Sequence, residues 1–171
     1  MRALVVYESL WGNTEKVARA IAAELAVTMQ VDVVDVDSAP NTIAGYDLVA
    51  VGGPTHAFSM TRVSTRQTAV KQNGAPSAPQ RGIREWLDVL TPTENHVKAV
   101  TFDTRANAPR LPGSAARAAK QELGSLGFEI PLKQKTFRVH GYEGPLVDGE
   151  LEKAAVWARE VSQALSEQPA G

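Results

Sequence analysis

The chain has 171 residues, enough for one domain with a substantial core. Its 18 Lys and Arg residues nearly balance its 19 Asp and Glu residues, which gives a formal net charge of −1. This balance excludes a uniformly basic nucleic-acid binder and a strongly acidic carrier. The absence of cysteine excludes disulfides, thiol redox chemistry, iron–sulfur clusters and cysteine-ligated zinc.

The length of the apolar runs bears on the compartment. None approaches the ~20 residues that cross a bilayer, and the N-terminal run before Glu8 is too short for a signal peptide. We therefore expect a cytoplasmic protein without a membrane span. We also expect one domain over residues 1–166, followed by a flexible tail over residues 167–171.

The charge is distributed unevenly along the chain. Residues 1–52 and 143–171 each sum to −4, whereas residues 53–142 sum to +7. Two explanations remain open. The pattern reflects either ordinary surface solvation or an anion-attracting site in the middle third of the chain.

The predicted elements alternate between strands and helices. Short apolar, β-branched runs predict five strands, at 4–7, 31–36, 48–51, 97–102 and within 128–139. Apolar residues at helical spacing predict four helices, one over residues 83–90 and three others with Asn13, Ser114 and Asp148 as their N-caps. Residues 53–82 show no clear period, and a connection of this length inside a domain is usually functional.

This alternation predicts parallel strands joined by right-handed crossovers, in a three-layer, doubly wound α/β domain with five strands. Ligands of such sheets bind beyond the carboxyl ends of the strands. Three loops follow strands and are therefore candidates for the site, at 8–14, 53–62 and 103–113.

The first of these loops has the composition of a phosphate-binding turn. Gly12 lets the backbone approach a ligand closely, and hydroxyl and amide donors stand beside it without any cation. A strand-to-helix junction also presents unpaired N–H groups and a positive dipole end. A capped helix start with a turn glycine accounts for the same residues. The sequence contains no G-x-G-x-x-G, Walker or G-x-S-x-G motif and no metal-ligand spacing of histidines.

Two segments carry a resemblance to a known family. The first reads Val5-Val6-Tyr7-Glu8-Ser9-Leu10-Trp11-Gly12-Asn13-Thr14-Glu15, and the second reads Gly52-Gly53-Pro54-Thr55-His56-Ala57-Phe58. The first resembles the FMN phosphate loop of the flavodoxin family, with Trp11 where flavodoxins have threonine. The second is similar to the Gly-x-Pro-Thr loop of flavodoxin-like NAD(P)H:quinone oxidoreductases. The resemblance implies the strand order 2-1-3-4-5.

The resemblance also implies FMN as the cofactor. The residues that would hold its phosphate are Ser9, Leu10, Trp11, Gly12, Asn13 and Thr14. Those that would surround its ring and ribityl chain are Pro54, Thr55, His56, Ala57, Phe58, Asp103 and Thr104. Backbone N–H groups of Thr55, His56 and Ala57 would face the ring, and Phe58 would pack either on it or in the core. His56 would steady reduced flavin, protonate a quinone or simply be a loop residue.

The loop after the fourth predicted strand departs from the family pattern. Flavodoxins often place an aromatic residue there, whereas residues 103–113 contain none. Two hypotheses follow. One is an FMN-dependent electron-transfer protein, or a reductase that uses NAD(P)H and a quinone or redox-protein acceptor. The other is a flavin-free binding or regulatory domain. A phosphoacceptor receiver domain is excluded, because Glu8 has no acidic neighbour and Gly52-Gly53-Pro54 replaces the acceptor aspartate.

The basic residues of the middle third favour the reductase over a small electron shuttle. Residues 53–84 contain five cations and no acid. Such a rim would stabilise anionic reduced flavin and attract an anion such as NADPH.

Overall fold

The structure is a computed structural model that describes residues 1–93 and 96–167. Its strands are β1 (Arg2–Tyr7), β2 (Gln30–Asp35), β3 (Leu48–Pro54), β4 (Lys98–Ala106) and β5 (Lys135–Val139). Its helices are α1 (Asn13–Leu25), α2 (Val63–Gln72), α3 (Ile83–Val89), α4 (Ala115–Ser125) and α5 (Glu150–Ser166). None of the described helices is long and apolar enough to cross a membrane.

The five strands form one parallel sheet in the order β2-β1-β3-β4-β5, which confirms the predicted fold. Separate apolar cores cover its two faces. Helices α1 and α5 pack on one face around Phe102, Phe137 and Trp157, whereas α3 and α4 pack on the other around Trp86. β3 is buried throughout and β1 is buried after Arg2, whereas β2 is a half-buried edge strand.

The expected loop over 53–82 contains helix α2, so the interpretation of that segment as irregular is wrong there. Only Arg66 and Ala69 of this helix are buried. A helix that buries so few apolar residues leaves no apolar period in the sequence. At the next crossover, β4 extends to Ala106, so Asp103 and Thr104 lie in the strand and the loop begins at Asn107.

The helix caps differ in part from the predicted ones. Ser114 caps α4 as expected, since its Oγ accepts a hydrogen bond from Arg117 N–H. Gly12 caps α1, one residue before the expected Asn13. Gly149 caps α5, one residue after the expected Asp148. Of the predicted tail, residues 168–171 lie outside the described residues.

Candidate functional site

The loops after β1, β3 and β5 and the end of β4 enclose a cleft of about 60 Å³ at the carboxyl edge of the sheet. This is the edge where doubly wound sheets bind ligands. The cleft is lined by Leu10, Trp11, Asn13, Thr14, Pro54, Thr55, His56, Thr104, Arg105, Ala106, Val139, Gly141 and Tyr142.

The loop after β1 forms a cradle of backbone donors. Gly12 has a φ of 95°, and the Ser9 hydroxyl oxygen accepts hydrogen bonds from the N–H groups of Gly12 (3.1 Å) and Glu15 (3.3 Å). Four further N–H groups of the loop have no acceptor within the described part of the chain, those of Leu10, Trp11, Asn13 and Thr14. These donors meet the positive end of the α1 dipole, so the cradle suits an anion.

Two side chains fix this cradle to the rest of the cleft. Asn13 Nδ2 donates to the carbonyl oxygen of Glu143 (2.9 Å), and a Cβ at Gly144 would lie 2.5 Å from Asn13 Oδ1. The buried hydroxyls of Thr14 and Thr104 are 2.7 Å apart. Because one proton suffices for that hydrogen bond, the other hydroxyl proton remains available to a ligand.

The loop after β3 is held by hydrogen bonds of Thr55. Its N–H donates to the carbonyl oxygen of Thr104 (2.9 Å), and its hydroxyl donates to Asp103 Oδ2 (3.0 Å). A tight turn follows, closed by reciprocal backbone hydrogen bonds between His56 and Ser59. Of the three N–H groups expected to face a ring, those of Thr55 and His56 are therefore used within the protein.

His56 is the cleft's titratable imidazole. Burial lowers its pKa from 6.5 to about 4, because the charged ring loses hydration there. His56 is therefore neutral at neutral pH. In that state it supplies a hydrogen-bond donor or acceptor, not a cation, to anything bound in the cleft.

Asp103 is fully buried and does not line the cleft. Its Oδ2 accepts hydrogen bonds from Thr55 Oγ1, from Ser114 Oγ (2.5 Å) and from Ala116 N–H (3.2 Å). The carboxylate thus joins the ends of β3 and β4 to the start of α4. Its side chain holds the framework of the site together.

Tyr142 supplies the aromatic ring that the loop after β4 lacks. It stacks on Trp11 with ring centroids 6.2 Å apart and an interplanar angle of 28°, and Trp11 also contacts His56 at 5.9 Å. Sequence reasoning missed Tyr142 because the fifth strand was bounded only loosely. An aromatic between the glycines that follow Val139 was the available signal.

Two buried side-chain nitrogens of cleft residues have no acceptor in the described part of the chain: Trp11 Nε1 and Arg105 Nε. The rest of the Arg105 guanidinium donates to the carbonyl oxygens of Gly113 (2.8 Å) and Leu111. Buried donors normally find an acceptor, so this pair fits a ligand that brings acceptors to the cleft.

The basic residues after β3 divide into structural and exposed groups. Arg66 pairs with Glu85 and donates to Thr61 Oγ1 (2.9 Å) inside the protein. Arg81 and Arg84 donate to backbone carbonyl oxygens. Arg62 and Lys71 are exposed. Much of the basic rim therefore holds the connection between β3 and β4 in place.

A buried carboxyl anchors the same connection. Glu8 accepts hydrogen bonds from Thr61 Oγ1 (2.6 Å) and Ile83 N–H (2.8 Å). Burial raises the pKa of Glu8, although these two donors and the nearby Arg66 charge oppose the rise. Glu8 is adjacent to Ser9, so this network ties the cradle to α2 and α3.

Comparison with known proteins gives a family match over the first part of the chain. Residues 5–69 match the family model described as "Flavodoxin". The chain has a flavodoxin-like fold. The match spans both the cradle and the loop after β3. No curated protein matches the chain.

Solved structures show the same fold over nearly the whole chain. Flavodoxin 1 from Bacillus cereus has a TM-score of 0.69 at 19% identity, with 98% of this chain and 99% of that chain covered. Flavodoxin 2 from the same organism has a TM-score of 0.70 at 19% identity, with 95% and 99% covered. Rubredoxin oxygen:oxidoreductase from Desulfovibrio gigas has a TM-score of 0.68 at 17% identity, with 99% of this chain but 37% of that chain covered.

The cleft brings together eight of the residues expected at the site. They are Leu10, Trp11, Asn13, Thr14, Pro54, Thr55, His56 and Thr104. Five others do not line it: Ser9, Gly12, Ala57, Phe58 and Asp103. Ser9 and Gly12 shape the cradle through their mutual hydrogen bond without lining the cleft. The side chain of Phe58 is 60% exposed. Of the two alternatives for Phe58, packing in the core is therefore wrong, and packing on a bound ring stays a prediction.

Proposed function

We propose that this protein binds FMN in the cleft and transfers electrons to a redox partner. The observation that carries the proposal is the Trp11–Tyr142 aromatic pair, which lies directly beside the cradle of unpaired N–H groups after β1. An aromatic pair beside an anion cradle matches a ligand that joins a flat ring to a phosphate.

The phosphate would lie in the cradle of residues Ser9–Thr14. This segment contains no cation, so neutral donors and the α1 dipole would balance a phosphate dianion. Gly12 supports this role because its left-handed conformation turns the backbone, and no atom lies within 4 Å of the Cβ position there.

The ring would lie between the aromatic side chains and the loop after β3. Trp11 Nε1 and Arg105 Nε are buried donors that fit the polar edge of a flavin. A cleft of about 60 Å³ is smaller than an isoalloxazine ring, so binding requires Trp11 and Tyr142 to separate. The surface of both rings would then pack on the ligand.

FMN, when bound, would supply one- and two-electron transfer. The Arg105 guanidinium would favour negative charge on the reduced ring, because the cleft is lined by no carboxylate. His56 would offer a neutral hydrogen bond. We extend the proposal to NAD(P)H as the electron donor and a quinone or a redox protein as the acceptor, supported by Arg105, the charged residue in the lining of the cleft.

A titration of the purified chain with FMN tests the proposal. Binding would quench flavin fluorescence and shift the visible absorption band. Added NADPH would then bleach the band of a reductase and leave that of a carrier unchanged. If fluorescence stays unquenched with millimolar FMN, the FMN proposal fails.

A flavin-free binding or regulatory domain is the second candidate. The small cleft of about 60 Å³, lined by the Trp11–Tyr142 stack, favours it. So does the lack of an aromatic residue between Asn107 and Gly113. Unquenched FMN fluorescence together with a native circular dichroism spectrum would support this candidate.

A further inference from the structure

The loops after β3 and β4 meet beside the cleft and expose an apolar pair. Phe58 is 60% exposed and Leu111 is 41% exposed. The two loops touch directly, because a Cβ at Gly113 would lie 1.9 Å from the carbonyl oxygen of Phe58. Arg105 fixes the loop after β4 by donating to the carbonyl oxygens of Gly113 and Leu111.

The segments that carry this pair are basic. Residues 53–84 and 104–121 together contain nine Lys and Arg residues and no Asp or Glu. Arg110 and Arg117 are exposed, and no ion pair in the described ranges involves either of them or Arg105. Asp103 lies nearby but is fully buried beneath its hydrogen-bond donors. We call Phe58, Leu111, Arg105, Arg110 and Arg117 the docking face.

Residues of the docking face and its neighbour Ala57 have strained backbone conformations. Ala57, Phe58 and Arg110 have φ angles of 46°, 71° and 62°, a region that residues other than glycine rarely adopt. A phenylalanine in that region with its ring in solvent gains no core packing. Strained, exposed residues beside a binding cleft are typical of recognition surfaces.

We propose that the docking face binds an acidic protein whose carboxylates surround an apolar patch, which brings that partner to the mouth of the cleft. The inference rests on the proposed electron-transfer function and names the chemistry of its partner. Apolar residues at the centre would supply contact area, and the arginines would steer association and pair with carboxylates. His56 connects the face to the cleft, because its turn with Ser59 carries Phe58.

The charge on the rest of the chain favours a compact partner over a long polyanion. Exposed acids lie on both sides of the docking face along the carboxyl edge of the sheet, because Asp35 ends β2, Asp37 follows it and Glu143 follows β5. A nucleic acid or an anionic membrane that extended past the docking face along this edge would meet these acids. A small acidic protein would contact the docking face alone.

The probe is a synthetic peptide of glutamates around a central Phe-Leu pair, titrated into the ¹⁵N-labelled full chain. We expect shifts of the amide resonances of Phe58, Leu111, Arg110 and Arg117. The double variant Arg110→Glu/Arg117→Glu should lower the affinity at least 10-fold. The control variant Lys133→Glu changes an exposed cation at the opposite edge of the sheet and should stay within twofold. Affinity should also fall several-fold between about 0.05 M and 0.2 M salt.

Three results would overturn the proposal. One is equal affinity for a peptide with lysines in place of the glutamates. Another is perturbation of the face by 2′,5′-ADP but not by the acidic peptide, which would make it a nucleotide site. The third is concentration-dependent self-association that Arg110→Glu/Arg117→Glu abolishes, which would make a second copy the occupant. FMN fluorescence, measured separately, reports on the proposed function alone.

Discussion

The indole ring of Trp11 stacks on the phenol ring of Tyr142, with centroids 6.2 Å apart and planes inclined by 28°. These residues lie at the carboxyl ends of β1 and β5, which are separated by β3 and β4 in the sheet. The pair therefore spans the cleft. Both rings are available to a flat ligand once they separate.

The first prediction concerns this pair. Tyr142→Ala should weaken FMN binding, because an aromatic pair contributes about 0.5–1.5 kcal/mol beyond its buried area. The dissociation constant should rise roughly 2- to 10-fold, measured by fluorescence titration. Tyr142→Phe keeps the ring and should bind as the wild type does. Equal affinity of the alanine and phenylalanine variants would exclude stacking at Tyr142.

The second prediction concerns the conformation of Gly12. Gly12→Val places a β-branched residue at a φ of 95°, which costs about 1–3 kcal/mol and distorts the cradle. FMN affinity should fall more than 10-fold, measured by fluorescence titration.

The matched control is Gly45→Val. Gly45 has a φ of 86°, and nothing lies within 4 Å of its Cβ position, but it precedes β3 at the opposite edge of the sheet. This variant should lose similar stability in urea and keep its FMN affinity. Equal losses of affinity in both variants would mean that the effect is general destabilisation and not distortion of the cradle.

The third prediction is the pH dependence that His56 introduces. Its pKa is about 4 in the folded chain and near 6.5 when unfolded, so the unfolded state takes up a proton first as the pH falls. The free energy of unfolding should therefore decrease between pH 6.5 and pH 4, by up to about 3 kcal/mol. His56→Gln should remove this component from urea denaturation curves. An NMR titration of the His56 ring with a midpoint near 6.5 would contradict the prediction.

The fourth prediction concerns Glu8, whose raised pKa makes the free energy of unfolding depend on pH with the opposite sign. Because burial raises the pKa of Glu8 above 4.5, ionisation costs more in the folded chain than in the unfolded one. The free energy of unfolding should therefore decrease as the pH rises from 4.5 through the raised pKa. Glu8→Gln keeps an acceptor for Ile83 N–H and should be less dependent on pH than the wild type in that window. Parallel pH profiles of the two proteins would show that the pKa of Glu8 is not raised.

The sequence predicted the strands and loops that carry the site better than the side chains that line it. Strands were recognisable from β-branched runs, and the loop after β1 was recognisable from Gly12 and its polar neighbours. Helix α2 was missed because its buried residues include Arg66, whose burial depends on Glu85 and Thr61 from other segments. Asp103 looked like a ligand contact because its position after a strand does not show which neighbours surround it.

Local spacing by itself determined the five-stranded doubly wound fold and the edge of the sheet where the cleft lies, because strand and helix periods depend on near neighbours. Only the tertiary structure decided which side chains meet in that cleft. Tyr142 meets Trp11 across 131 positions of the chain, and Thr14 meets Thr104 across 90. The pKa of His56 likewise falls through burial by surrounding segments. Such contacts arise from packing between distant segments, which no local pattern records.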